Sequence, residues 1–228
     1  MELFFGENVN KTPVLDPKES HHAIRVLRKR IGDELEVTDG LGGLYKCRII
    51  SDNPRSCELE ILEKNEVPPA QPQLHIAISP TKSLDRVLWF VEKSTEIGIN
   101  GISLLQTRNT ERTKINLSKV RSRAISAIKQ SQQCWLPSIN ERGFDQISDF
   151  QQEQKFIAHL ETGRSKDLNQ VIQDGKSAVI LIGPEGDFTP EEIDLALDHN
   201  FHMVSLGATR LRTETAGIVA TTLLRSSL

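Results

Sequence analysis

The sequence predicts an α/β fold in which a small β-rich segment precedes a parallel sheet covered by helices. Three observations support this: a proline-rich break at Asn65–Gln73, short strands with tight turns before it, and alternating strands and helices after it. Three prolines within five positions prevent both a helix and a central strand in the break. We therefore expect one domain at residues 1–67 and another at residues 74–228.

Turn sequences divide the first segment in the manner of a small β barrel or sandwich. Asp39–Gly43 and Asp52–Arg55 are rich in residues that favour turns. Strands are predicted around them at Leu35–Val37, Leu44–Ile50 and Cys57–Leu62. One helix, Glu19–Arg30, is predicted because Ile24, Leu27 and Ile31 lie on one side of it.

Strands and helices alternate after the break. Ser177–Ile182 is the most apolar predicted strand, and Leu84–Ile97 is an amphipathic helix that ends at Gly98. The other predicted strands are Leu74–Ser79, Ile102–Gln106, Phe156–Leu160 and His202–Leu206. The other predicted helices are Ser118–Ser131, Pro190–Asn200 and Glu214–Ser226. This alternation predicts a parallel sheet with both faces covered.

The composition excludes several classes of protein. The chain has 228 residues, of which 37% are hydrophobic, and its longest apolar run is only Ala178–Ile182, far below the roughly 20 residues that span a bilayer. The segment Met1–Glu7 lacks the features of a secretory signal, so we expect a cytoplasmic protein that contacts no membrane. The three cysteines form no Cys-x-x-Cys pair and the histidines form no cluster, so we expect free thiols and no metal.

Positive charge is concentrated in the middle of the chain. Residues 104–143 contain eight lysines and arginines but only two glutamates, although the whole chain has a formal net charge of −3. Such a segment could contact nucleic-acid phosphates, because binding depends on the local potential. A solvated helix face is the alternative.

Two loops that follow late strands are candidates for a ligand site, because open α/β sheets bind ligands beyond the carboxyl ends of their strands. The first loop is Ile182–Glu192, and its glycines, Gly183 and Gly186, would allow close backbone approach and positive φ angles. Thr189 and Glu192 have the spacing of a capping box, which explains this glutamate by helix initiation. Glu185 has no comparable explanation and is either a functional residue or an exposed loop acid.

The second loop, Ser205–Arg212, leads into the last helix. Thr213 would cap that helix and place Glu214 in its first turn. Small residues recur along one face, where we expect another backbone to pass closely. These residues are Ala216, Gly217, Ala220 and Thr221. Neither loop has a P-loop or dinucleotide-binding pattern, so the predicted pocket suits an adenosine-like ligand without a phosphate chain.

Motifs in a fixed order give the chain a resemblance to a known family. It resembles the bacterial ribosomal RNA small-subunit methyltransferase E family, which contains uridine-N3 methyltransferases of the SPOUT class. The motifs are His21–Arg28, Gly32-Asp33, Asp39-Gly40, Lys93–Gly98, Glu111-Arg112, Gln130-Ser131, Leu136-Pro137, Gly183–Gly186, Leu206-Gly207 and Leu211–Ala216.

The resemblance implies a PUA-like RNA-binding β barrel followed by a SPOUT domain with a C-terminal trefoil knot. It also implies a homodimer that uses S-adenosylmethionine to methylate N3 of a uridine in 16S ribosomal RNA. The substrate is either the free RNA or the RNA within the small ribosomal subunit. Two other functions stay open. One is a SPOUT enzyme acting on a ribose 2'-hydroxyl or another base, and the other is a non-catalytic RNA-binding assembly factor.

The resemblance assigns the site residues. Cofactor contacts are expected from Leu160, Ile182, Gly183, Pro184, Glu185, Gly186, Leu206, Gly207, Leu211, Thr213 and Ala216. RNA contacts are expected from His22, Arg25, Arg28, Lys29, Arg108 and Arg123, with a structural role as the alternative for the histidine. Glu214 is the candidate base, and Arg112 or Arg212 would stabilise the uracil anion.

The chain departs from the family pattern at a few positions. Asp187 replaces a glycine in the first loop, and its carboxylate could affect the loop geometry or the cationic ligand. Arg210 lies one position away from the usual arginine, and Gln133 occupies a position where arginine is common. A basic residue usual near Phe4-Phe5 is missing.

Overall fold

A computed structural model describes residues 2–159 and 165–226. The chain divides into two compact units. The first contains Met1–Pro69 and Ile125–Leu136, and the second contains Ala70–Ala124 and Pro137–Leu228. Among the described residues, no helix is both long enough and apolar enough to cross a membrane.

The first unit is built on a four-stranded sheet in the order β1-β2-β3-β4. Its elements are β1 (Leu3–Phe5), α1 (Pro17–His21), β2 (Glu34–Thr38), β3 (Gly43–Ser51) and β4 (Glu58–Glu66). The predicted strands are confirmed, with small shifts at their ends. Along β3, Tyr45, Cys47 and Ile49 point into the core at every second position, as expected of a sheet with one buried face. Strand β1 was not predicted, and it pairs in parallel with β2.

The helix of the first unit is shorter than predicted. The Asp16 side chain caps α1 by accepting hydrogen bonds from the backbone N–H groups of residues 18 and 19. A π-helical turn, His22–Val26, continues α1, and Arg28 then adopts a left-handed φ of 56°. The prediction that Ile31 shares the buried side is wrong, because this residue is 62% exposed beyond the end of the helix.

The second unit contains a seven-stranded sheet in the described residues, in the order β7-β6-β5-β10-β8-β11-β9. Its strands are β5 (Leu74–Ile78), β6 (Gly101–Gln106), β7 (Ser138–Gly143), β8 (Gln154–Ala158), β9 (Lys166–Asp167), β10 (Ala178–Ile182) and β11 (His202–Ser205). All of the described pairings are parallel, which confirms the prediction. Every residue of β10 is buried, so both faces of the sheet are covered there.

The other α-helices that the structure describes are α2 (Leu84–Ile97), α3 (Leu117–Gln130), α4 (Leu168–Val171), α5 (Pro190–Asp198) and α6 (Thr213–Ser226). Gly98 ends α2 with a left-handed φ of 98°, as predicted. On α6, a Cβ added to Gly217 would lie 2.5 Å from a ring atom of Phe90 on α2. The backbone of α2 does pass close to α6, as predicted, and at Gly217 the small residue makes room for an aromatic side chain of that helix.

Strand register brings three strand ends to one level of the sheet. Ile182, the last residue of β10, pairs with Ile78 of β5 and with Ala158 of β8. The backbone N–H of Ser79 also donates to the Ile182 carbonyl oxygen at 2.9 Å. The loops after β5, β8 and β10 therefore begin side by side at the carboxyl edge of the sheet.

Candidate functional site

A cavity of about 660 Å³ lies at this carboxyl edge, entirely within the second unit. It is formed by the ends of β8, β10 and β11, the loops that follow β10 and β11, and the first turns of α6. Its volume is in the range of sites for small organic ligands. Nine of the predicted cofactor residues line it: Ile182, Gly183, Pro184, Glu185, Leu206, Gly207, Leu211, Thr213 and Ala216.

One of the described cofactor candidates, Gly186, is not among the residues that line the cavity. Gly186 is exposed, and its carbonyl oxygen accepts a hydrogen bond from Asn109 Nδ2 at 3.3 Å. Neither Gly183 nor Gly186 has a positive φ, contrary to the expectation from the sequence; the left-handed residue of this loop is Asp187, with φ of 63°. Leu160 lies outside the described residues.

Hydrogen bonds join the two cavity loops. Arg210 Nη2 in the second loop donates to the Glu185 carbonyl oxygen in the first, at 3.2 Å. The Thr213 hydroxyl donates to the Gly183 carbonyl oxygen at 3.1 Å. The expectation that this threonine caps α6 was wrong, because it is the first residue of the helix and its hydroxyl holds the other loop.

The first cavity loop is anchored where it enters α5. Thr189 and Glu192 form the predicted capping box, with hydrogen bonds of 2.9 and 3.3 Å between their side chains and backbone N–H groups. The second carboxylate oxygen of Glu192 accepts from the backbone N–H of Arg108 at 2.8 Å. Glu192 therefore connects the loop after β6 to the cavity loop, in addition to starting the helix.

The cavity presents charges of both signs. Glu185 and Asp187 supply carboxylates, whereas Arg210 and Arg212 supply guanidinium groups. S-adenosylmethionine carries a sulfonium, an ammonium and a carboxylate group, so this donor set suits its charges. The residues present therefore fit the cofactor.

The candidate base, Glu214, is buried in the first turn of α6. It is only 7% exposed, and its Oε1 lies 3.6 Å from Nε of Arg86 on α2. Its Oε2 has no hydrogen-bond partner among the residues that the structure describes. A buried carboxylate oxygen without a partner is costly unless a ligand supplies the missing hydrogen bond.

The two candidate arginines lie in different places. Arg212 lines the cavity and is exposed. Arg112 instead donates from Nε and Nη2 to the Lys82 carbonyl oxygen, at 3.0 and 2.5 Å. Arg112 therefore holds the loop after β5, and β5 is a neighbour of β10 in the sheet.

Sequence reasoning missed several residues at this edge. The Ser79 and Thr110 hydroxyls lie 2.7 Å apart and join the loops after β5 and β6. His159, directly after β8, lines the cavity, and its Nδ1 lies 3.1 Å from Asp187 Oδ2. Each of these residues follows a parallel strand, so the rule applied to the two later loops would also have selected them.

The RNA candidates of the first unit surround its π-helical turn. Arg25 and Arg28 are exposed, whereas Lys29 Nζ donates to the Glu34 carbonyl oxygen at 2.9 Å. Nε2 of His22 lies 3.5 Å from a Glu2 carboxylate oxygen.

Two further RNA candidates belong to the second unit. The Arg108 residue is exposed. Arg123 Nη1 donates to a Glu92 carboxylate oxygen at 2.6 Å, which partly neutralises its charge.

Among the described residues, the titratable groups with shifted pKa values lie outside the cavity. Burial raises the pKa values of Cys47 and Cys57 to about 11, which keeps these free thiols protonated at neutral pH. Burial and the charge of Arg142 lower the pKa of His75 to about 4. His75 Nε2 lies 2.8 Å from the Ser103 hydroxyl inside the sheet, so a structural role suits it. The described residues contain no group of side chains suited to hold a metal ion.

Comparison with protein families gives two matches. An RNA methyltransferase domain model matches residues 68–225, and an RNA methyltransferase PUA domain model matches residues 15–62. A Rickettsia conorii protein named ribosomal RNA small subunit methyltransferase E is 27% identical over 206 residues, covering 88% of this chain and 83% of the relative.

Solved structures are similar over almost the whole chain. A Porphyromonas gingivalis protein described as a "probable rRNA-methyltransferase" is 33% identical, with a TM-score of 0.93 and coverage of 99% of this chain and 98% of that one. A ribosomal RNA small subunit methyltransferase E from Neisseria gonorrhoeae, solved with bound S-adenosylmethionine, is 25% identical, with a TM-score of 0.82 and coverage of 99% and 97%. These matches confirm the predicted fold class.

Proposed function

Because this chain belongs to the RNA methyltransferase family, we propose that it methylates N3 of a uridine in 16S ribosomal RNA with S-adenosylmethionine. Relatives named ribosomal RNA small subunit methyltransferase E support the enzyme class and the RNA. The observation that carries the cofactor assignment is the cavity between two joined loops, which has carboxylates and guanidinium groups in its wall.

When bound, S-adenosylmethionine supplies an electrophilic methyl group. The two loops hold the ligand mainly through backbone groups near Gly183, Leu206 and Leu211, and they shield it from water. The Glu185 and Asp187 carboxylates attract its positive groups, whereas Arg210 and Arg212 attract its carboxylate.

Uridine N3 needs a group that removes its proton, because the imide is mostly protonated at neutral pH. Glu214 accepts this proton on Oε2, the buried oxygen without a described partner. Arg86, 3.6 Å from Oε1, holds the carboxylate. Arg212, on the cavity wall, stabilises the negative charge that develops on the uracil ring. Arg112 supports the loop after β5 through the Lys82 carbonyl oxygen.

Residues 1–67 form the RNA-binding module of this proposal, and residues 74–228 form the methyltransferase module. The PUA domain match supports the first assignment. Exposed Arg25 and Arg28 contact phosphates, so replacing both with alanine should lower RNA affinity and reduce the slope of its salt dependence by about 2. Unchanged affinity and slope would exclude this surface.

The proposed enzyme is a cytoplasmic homodimer, because its RNA substrate is ribosomal and its last helix leaves apolar residues partly exposed in the single chain. These residues are Ile218, Val219 and Leu223. Light scattering on the purified protein should give twice the mass of one chain, 25.6 kDa. A monomer at micromolar concentration would contradict the dimer.

A methylation assay tests the function directly. RNA from cells that lack the protein is incubated with the enzyme and labelled S-adenosylmethionine, and the nucleosides are analysed by mass spectrometry. The proposal predicts 3-methyluridine from small-subunit RNA. A 2'-O-methylated nucleoside or another methylated base would show that the enzyme methylates a different atom. Cofactor binding without any product would indicate an assembly factor.

A further inference from the structure

We propose that Asp187 makes the cavity selective for S-adenosylmethionine over the product S-adenosylhomocysteine, through attraction between its carboxylate and the sulfonium charge. This inference rests on the proposed function and concerns the same cavity. It assigns a specificity role to a carboxylate at the rim of the ligand site.

The backbone of Asp187 is fixed on both sides. Its N–H donates to the Pro184 carbonyl oxygen at 3.0 Å, and its own carbonyl oxygen accepts from Asn109 Nδ2 at 3.0 Å. Its φ of 63° lies in the left-handed region, which aspartate tolerates better than most residues. The side chain therefore starts from a defined position at the cavity wall.

The carboxylate of Asp187 is fixed as well. Oδ1 accepts from the Phe188 backbone N–H at 2.7 Å, and Oδ2 lies 3.1 Å from Nδ1 of His159. The His159 side chain is 17% exposed, whereas that of Asp187 is 47% exposed. The carboxylate is thus positioned by the Phe188 N–H and lies beside His159, it is still partly exposed, and both residues line the cavity.

The chemistry of the ligand makes this charge selective. Methyl transfer breaks the bond between sulfur and the methyl carbon, the electron pair stays on sulfur, and a positive sulfonium becomes a neutral thioether. The adenosine and amino acid parts are the same in both molecules. A carboxylate near sulfur therefore favours the substrate over the product, and its attraction ends when the methyl group has left. Solvent at the open side limits the effect.

The variant Asp187→Asn tests this selectivity. Asparagine tolerates the left-handed conformation and can still accept the Phe188 hydrogen bond, but it has no charge. Calorimetric titration of the full chain should show S-adenosylmethionine binding weakened about tenfold and S-adenosylhomocysteine binding changed less than about twofold. Asp187→Gly, which suits the same φ, should give the same selective loss.

The control variant Asp194→Asn removes an exposed charge from α5, outside the cavity wall, and should leave the affinity ratio unchanged. An equal loss for both ligands, or no loss for either, in Asp187→Asn would overturn the inference while leaving the proposed function in place. A wild-type protein that binds neither ligand would overturn both.

Discussion

Replacing Glu214 with glutamine tests the assignment of the base. The change keeps the size of the side chain but removes its capacity to take a proton from uridine N3. General-base catalysis typically contributes a factor of about 10² to 10⁴ in rate, so methyl transfer at saturating cofactor should fall by at least about a hundredfold. Single-turnover assays with labelled S-adenosylmethionine measure this rate.

The structure predicts that Glu214→Gln changes stability much less than rate. The ion pair with Arg86 spans 3.6 Å, and the arginine side chain is 42% exposed, so solvent screens the pair. Glu214 itself is buried, so this screening acts on the arginine side only, and denaturant unfolding should show a loss of about 1–2 kcal/mol. Affinity for S-adenosylmethionine should stay within about threefold of the wild type.

Glu191 provides a matched control, because it lies in the first turn of α5 and is exposed. Glu191→Gln should leave the methyl-transfer rate unchanged. If Glu214→Gln is folded, binds the cofactor and turns over at nearly the wild-type rate, Glu214 is not the base. A rate loss of similar size in the control variant would attribute the effect to helix electrostatics.

Three further predictions concern cofactor binding and stability. Gly183→Val should weaken S-adenosylmethionine binding by more than about tenfold in calorimetry, because an added Cβ would lie 3.1 Å from the Phe188 ring and the larger side chain would displace the loop that lines the cavity. Unchanged affinity would refute the placement of the ligand. Gly217→Ala should lower the free energy of unfolding by about 1–3 kcal/mol in urea, because its Cβ would meet the Phe90 ring at 2.5 Å; an equally stable variant would refute this packing. His75 has a pKa of about 4 in the folded chain, below the ordinary 6.5, so the unfolded chain binds the proton first and stability falls as the pH drops below about 6.5. The free energy of unfolding should therefore fall by about 2 kcal/mol between pH 8 and pH 5 because of His75, and this loss should be absent in His75→Asn. Equal pH dependence of both proteins would contradict the prediction.

The elements predicted most accurately from the sequence are those with a clear pattern of apolar residues. Strand β10 is an unbroken apolar run and α2 has one apolar face, so both were located within one residue of their ends. Strand β7, Ser138–Gly143, was missed because it is a polar edge strand with no fully buried residue. Strand β1 has only three residues, which gives too short a pattern to recognise.

The parts of the candidate site that could be predicted are the loops in which glycines directly follow a predicted strand. The loops after β10 and β11 could be selected by their glycines and their position after strands, and they do line one cavity. The pairing of His159 with Asp187 and of Arg86 with Glu214 could not be predicted, because these partners are 28 and 128 positions apart and meet only through the strand order and helix packing. Arg112 had a suitable charge, but only the structure shows it bonded to a loop carbonyl.

A crystal structure of the chain with S-adenosylmethionine would show whether the cavity is the cofactor site. The ligand should lie between the loops after β10 and β11, with its adenosine in contact with backbone atoms near Gly183, Leu206 and Leu211 and its sulfur near the Asp187 carboxylate. Ligand density anywhere else on the chain, with this cavity filled by side chains or open to water, would contradict this placement.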